Sequence, residues 1–265
     1  MKQFLFVVLL VTFISDKLWA QQIVNEAIIQ IKTETTAGEE APPPNAPEGA
    51  TIMRFGDGEI KTKLFFKNGM TKLENDMGMG VNRVIYDSKT KTTTTLFEAM
   101  GKKMGFYTTD EDMQQMMNGA DSGRKQRIET FNPEVFIEYL SETKKIAGMI
   151  CNKALIRYKN RKGDEVQQPI WYSPEFMLGE GFRMRDLMRM ANVPGLNKLK
   201  GFPMEFDVTR QNGAKVHFEV TKVDLNAKVD DKVFIIPKDY ELKSMKEMNR
   251  GNNGRPGEFM MRVGG

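Results

Sequence analysis

Between Met204 and Thr221 apolar and polar residues alternate on both sides of a turn signal, and this pattern leaves the chain little choice of fold. Met204, Phe206 and Val208 are interleaved with Glu205, Asp207 and Thr209. After Gln211-Asn212-Gly213 the alternation resumes, with Val216, Phe218 and Val220 set against Lys215, His217, Glu219 and Thr221. Period two on either side of a turn predicts a β-hairpin. A two-residue loop would pair Thr209 with Val216 and mix the faces. A three-residue loop with Gly213 in the left-handed conformation pairs Val208 with Val216 and Phe206 with Phe218, so it is the register expected. Asp207 then lies opposite His217, and Glu205 faces Glu219. One face is apolar and must be covered.

The same period recurs along the chain. Residues 23–33 read as a first strand. Ile60, Thr62, Leu64 and Phe66 alternate with Lys61, Lys63, Phe65 and Lys67, and a tight Asn68-Gly69 turn pairs Leu64 with Leu73 and Ile60 with Met77. Segments 81–86, 91–98 and 102–107 follow as a meander, which favours an antiparallel sheet. Residues 143–158 read as one long strand bulged at Gly148, residues 166–172 as its return, and residues 232–237 as a last short strand; residues 131–140 show no clear period. Two helices are expected. Residues 110–118 are capped by Thr108 and Thr109 and present Met113, Met116 and Met117. Residues 181–191 place Met184, Leu187, Met188 and Ala191 at helical spacing, a sheet cover in preference to a membrane-surface helix. The fold class expected is mainly β (α+β), a curved antiparallel sheet covered by short helices.

Residues 1–20 carry Lys2, an apolar run from Phe4 to Ile14 and Ala20, the pattern of a secretory signal; the run is too short to span a bilayer. Residues 21–245 read as a single β-rich domain. Residues 35–50, acidic and containing Pro42-Pro43-Pro44, read as a flexible loop, and the Gly- and Asn-rich residues 246–265 as a disordered tail. The formal charge of +4 falls by one when Lys2, Asp16 and Lys17 leave with the signal. Nucleic acid, which needs a concentrated basic footprint, is therefore not the expected partner. An exported, periplasmic or secreted protein without a transmembrane span is the expectation.

Cys151 is the only cysteine and His217 the only histidine. No disulfide can form within the chain, and Cys151 with His217 is a conceivable nucleophile–base pair, but a plain strand position already explains each. No nucleophile elbow, phosphate loop or dinucleotide fingerprint occurs, and one Cys with one His makes a poor zinc ligand set. A non-catalytic protein without a cofactor is expected. The conspicuous number is 20 methionines. Thioethers fill irregular cores, line adaptable apolar cavities or select Cu(I), for which Met77, Met79, Met100 and Met104 are the candidate set. The leading reading is an apolar cavity between sheet and helices, lined by Met113, Met116, Met117, Met184, Leu187, Met188, Phe206 and Phe218, that takes an apolar or lipid-like molecule. Cu(I) handling and a structural module that binds another envelope protein are the alternatives.

The order of elements, together with Thr143-Lys144-Lys145-Ile146-Ala147-Gly148-Met149-Ile150-Cys151, Ile170-Trp171-Tyr172, Gly201-Phe202-Pro203-Met204-Glu205 and Phe234-Ile235-Ile236-Pro237-Lys238-Asp239-Tyr240, resembles an exported bacterial domain family of unknown function, DUF4412, related to periplasmic lipoprotein carriers of the LolA type. The resemblance covers residues 23–245. It implies an unclosed antiparallel β-barrel whose concave face is covered by short helices over an apolar cavity. Such carriers hold acyl chains and use defined arginine contacts; no arginine of this chain is matched to those. The chain departs from the pattern at residues 35–50 and in its tail.

Overall fold

The computed structural model describes residues 21–36, 58–78, 80–99, 101–119, 133–187, 193–210 and 213–246. Residues 1–20, most of the proline-rich segment and residues 247–265 lie outside them. In chain order the strands are β1 (Gln22–Val24), β2 (Glu26–Thr36), β3 (Gly58–Lys67), β4 (Met70–Asp76), β5 (Val81–Asp87), β6 (Thr92–Ala99), β7 (Lys102–Thr109), β8 (Val135–Ile146), β9 (Met149–Lys159), β10 (Glu165–Ser173), β11 (Phe176–Leu178), β12 (Phe202–Thr209), β13 (Lys215–Asp224) and β14 (Glu241–Ser244). The helices are α1 (Asp110–Gly119) and α2 (Met184–Leu187). Twelve strands form one sheet in the order β14-β7-β6-β5-β4-β3-β2-β13-β12-β10-β9-β8, and β1 pairs with β11 separately. The sheet stays open, because β14 and β8 end it without pairing with each other.

Both expected hairpins have the expected registers. Phe206 faces Phe218, Val208 faces Val216, and Gly213 takes a φ of 80°. Asn68 and Gly69 have φ of 46° and 84°, the pair of left-handed residues that matches a two-residue turn to the strand twist, and Leu64 faces Leu73. The Asp112 amide donates to Thr109 Oγ1 at 3.0 Å, so α1 starts on its expected cap.

Three expectations are corrected. Residues 143–158 are not one bulged strand: Ala147 and Gly148, with φ of 48° and 86°, make a tight turn between β8 and β9. The bulge lies instead in β8, between Tyr139 and Thr143, and residues 135–140, which show no clear period, open that strand. Residues 232–237 form no strand. A 3-10 turn, Asp231–Phe234, is followed by extended chain, and the last strand is β14, whose parallel pairing with β7 makes the sheet mixed. Thr35 and Thr36 belong to β2 rather than to a loop. The second helix is described over Met184–Leu187.

Registers define two faces. On the inner face the largest core joins Ile29, Ile31, Leu64, Phe66, Ile156, Ile170, Met204, Phe206, Phe218 and Val220 to the segments crossing above them, which contribute Val24, Phe176, Leu178, Val193, Leu196 and Leu199. Phe182 meets Phe66 edge-on at 5.8 Å, and Phe176 stacks on Phe202 at 5.0 Å. The crossing needs glycine: a Cβ on Gly181 would stand 2.7 Å from the Gly69 Cα. On the outer face Ile85, Leu96 and Tyr240 form a small second core. It lies under the chain that leads from β13 to β14. Lys67 and Lys72 donate to the Val229 and Val233 carbonyls at 2.7 and 2.9 Å, and Arg83 donates to the Tyr240 hydroxyl at 2.9 Å. The Arg83 and Tyr240 donors hold the Glu98 carboxyl below the usual range.

Candidate functional site

Phe206 and Phe218, neighbours across β12 and β13, stack with ring centroids 4.8 Å apart and are 2% and 3% exposed. Met184 and Leu187, reaching down from α2, pack against the same cluster. Phe206 and Phe218 thus meet and fill their place with their own rings, while Met184 and Leu187 border the same extended core. Met113 and Met116 are half-buried on α1, beyond the end of β7. The Met117 side chain and Met188 lie outside the described residues, as do Met79 and Met100 of the candidate copper set. Met104 points to the inner face from β7, in register with Phe97.

Over β3 to β7 the inner face changes character. One row runs Thr71, Tyr86, Thr93, Thr108; another runs Thr62, Asn75, Asn82, Phe97, Met104; between them lies the mainly apolar row Leu64, Leu73, Val84, Thr95, Phe106. Thr62 Oγ1 donates to Asn75 Oδ1 at 2.8 Å, and Asn75 Nδ2 donates to Asn82 Oδ1 at 3.1 Å. Above the first row sits Arg183, just before α2. Its Nη1 donates to Asp110 Oδ1 at 2.6 Å and its Nη2 to Thr93 Oγ1 at 2.9 Å, with the guanidinium carbon 3.3 Å from the Tyr86 ring centre. One side chain therefore ties the covering segment to the start of α1 and to β5 and β6 by ion pair, hydrogen bond and cation–π contact. Among the described residues the Thr35 and Thr71 hydroxyls are buried without a partner.

Sequence reasoning missed this polar half, because threonine and asparagine at alternate positions look like a solvent face. The available signal was Thr62, which shares a side with Ile60, Leu64 and Phe66.

Cys151 and His217 do not meet. They lie on β9 and β13, three strand steps apart, roughly 14 Å at the usual spacing. Burial pushes the Cys151 thiol up to about 11, and His217 Nδ1 bonds Asp207 Oδ1 at 2.7 Å on the other face from Phe206 and Phe218. Among the described residues no helix is long and apolar enough to cross a membrane.

Among solved structures the chain is similar to PNGF-II (TM-score 0.37, 15% identity, 86% of this chain and 33% of that one). It is also similar to MucB (TM-score 0.32, 7% identity, 81% and 58%). A third likeness is a putative outer membrane lipoprotein-sorting protein domain from Vibrio parahaemolyticus (TM-score 0.19, 8% identity, 83% and 91%). The chain spans about a third of the PNGF-II chain and under two thirds of MucB. Likeness at this level assigns neither activity nor ligand. No curated protein matches the sequence. The family described as Domain of unknown function (DUF4412) matches over residues 50–240, most of the described sheet, and the chain belongs to that family.

Proposed function

We propose that this protein is an exported envelope protein that binds an apolar or lipid-like ligand between its open sheet and the segments covering the inner face, without catalysis. The observation that carries the reading is the construction of that cover. The inner face is roofed by short segments, the two-stranded pair β1–β11, α2 and the turn at Leu196–Lys198, and not by a second large sheet. A roof of short segments moves at less cost than a packed sheet, since each piece carries few of the buried contacts. Beside the solid core, Phe97, Met104 and Phe106 on the same face remain half-buried, apolar surface to which a ligand can add. Cys151 and His217 lie three strand steps apart, so the cysteine–histidine pair considered from sequence does not form.

The test is extraction of the purified protein with organic solvent, followed by mass spectrometry. A co-purifying amphiphile at near-stoichiometric amount is expected. A protein that is empty after gentle purification and also ignores fluorescent acyl probes sinks the proposal.

A further inference from the structure

The hydrogen-bonded row Thr62–Asn75–Asn82 has a direction. Thr62 donates to Asn75 and Asn75 donates to Asn82, each through the side chain, so the series ends on the two N–H groups of Asn82 Nδ2. Asn82 is 9% exposed, and its Nδ2 has no protein partner among the described residues. Asn82 Nδ2 is not among the fully buried unpartnered atoms, so it stays open to solvent and to a ligand, and a donor at the end of a polarised series is the stronger for it. Its register neighbours toward β7 are Phe97 and Met104, which offer no strong acceptor, and Phe97 lies 5.7 Å from the Phe106 ring. A free donor beside a half-buried apolar ledge is complementary to one kind of molecule, an apolar chain that carries an acceptor oxygen at one end.

Resting on the ligand-binding reading above, we infer that the ligand's acyl oxygen is bound by Asn82 Nδ2 and its hydrocarbon chain by Phe97, Met104 and Phe106, over β5 to β7. The site is therefore not the Phe206–Phe218 region, which the protein fills itself. Among the described residues no cationic side chain lies in the row of Asn82, and Arg183, above the Tyr86 row, is engaged with Asp110 and Thr93, so the recognised group is the acyl oxygen of an acid or an ester alike.

The full chain is titrated with 11-dansylaminoundecanoic acid, with its methyl ester, and with N-undecyl dansylamide, which has no acyl oxygen. The acid and the ester are each expected to bind Asn82→Leu about tenfold more weakly than the unmodified protein, the worth of one buried hydrogen bond, while the undecylamide binds both equally. Because Asn82→Leu also removes the Asn75 contact, a second variant reports position without breaking the row. Phe97→Trp is expected to pass its excitation to the bound dansyl group far more strongly than the native tryptophans do. Binding by the unmodified protein with no added transfer in Phe97→Trp and no loss in Asn82→Leu overturns this site while the proposed function stands. Failure of all three probes to bind the unmodified protein overturns both.

Discussion

The inner face of this one sheet is built in two ways. Across β10, β12 and β13 it carries Ile170, Phe206, Phe218 and Val220, each at most 3% exposed and pressed against the chain crossing above. Across β4 to β7 the inner face mixes Leu73, Val84 and Phe106 with Thr71, Asn75, Asn82, Thr93 and Thr95; Asn75 and Asn82 bond sideways along the sheet, Thr93 accepts from Arg183 above, and the Thr71 hydroxyl has no partner among the described residues. The first half gains its free energy from area removed from water and needs nothing further. The second keeps directional groups in a low-dielectric setting, where each is costly unless paired. Stability and recognition are thus assigned to different strands of the same sheet, and every substitution below sets one half against the other.

The largest effect is expected at Phe218. A ring 3% exposed and stacked on Phe206 leaves a cavity when truncated, so Phe218→Ala should cost about 3–5 kcal/mol in denaturant unfolding. A loss below about 1.5 kcal/mol would mean that open space already adjoins the ring, and the ligand would then belong to this half after all. In the polar half the corresponding truncation is Asn75→Ala, which strands Thr62 Oγ1 and Asn82 Oδ1 together; about 1–3 kcal/mol is expected. Combined, the two should add to within about 0.5 kcal/mol, because they share no partner. Marked coupling would show that the halves are one cooperative unit and break the comparison.

How much of this division was legible in the sequence depends on what lay across from each residue. Registers set by Asn68-Gly69 and by the 211–213 loop could be read because the apolar sets on both arms had to coincide. The Ala147-Gly148 turn could not. Alanine is a poor left-handed residue, and the apolar residues of β8 and β9 run on through it, so the hairpin passed for a bulged strand. The outer strap was hidden for a related reason. Val233 and Ile235 alternate like a strand, but Val233 is half-buried and Ile235 exposed, and the strap is held by lysines reaching its carbonyls, which no side-chain pattern encodes. Of the candidate site, Phe206, Phe218, Met184 and Leu187 were legible as apolar; that Phe206 and Phe218 fill each other's space is a property of the assembled fold.

A smaller effect tests the face assignment within the apolar half. His217 sits between Val216 and Phe218 in sequence but points the other way, to an exposed pair with Asp207 whose carboxylate is 79% exposed. His217→Ala should cost under about 1 kcal/mol. If it proves more damaging than Phe218→Ala, the faces are exchanged and the division of the sheet falls with them.

The smallest effect is the one that most sharpens the polar half. Thr71 is 5% exposed, its hydroxyl has no partner, and it lies in register with Phe66 on one side and Tyr86 on the other. A buried hydroxyl that bonds nothing has given up its water for no return, so exchanging it for a methyl group of nearly the same volume removes a cost without opening a cavity. Thr71→Val is therefore expected to leave stability unchanged or to raise it by up to about 1 kcal/mol, the reverse of Asn75→Ala two rows away. The measurement is the denaturant midpoint at constant slope. A loss above about 1 kcal/mol would show that Thr71 is bonded in solution, to water or to a bound molecule. Repeating the experiment after solvent extraction of the protein then separates the two, since only a bound molecule is removed by it.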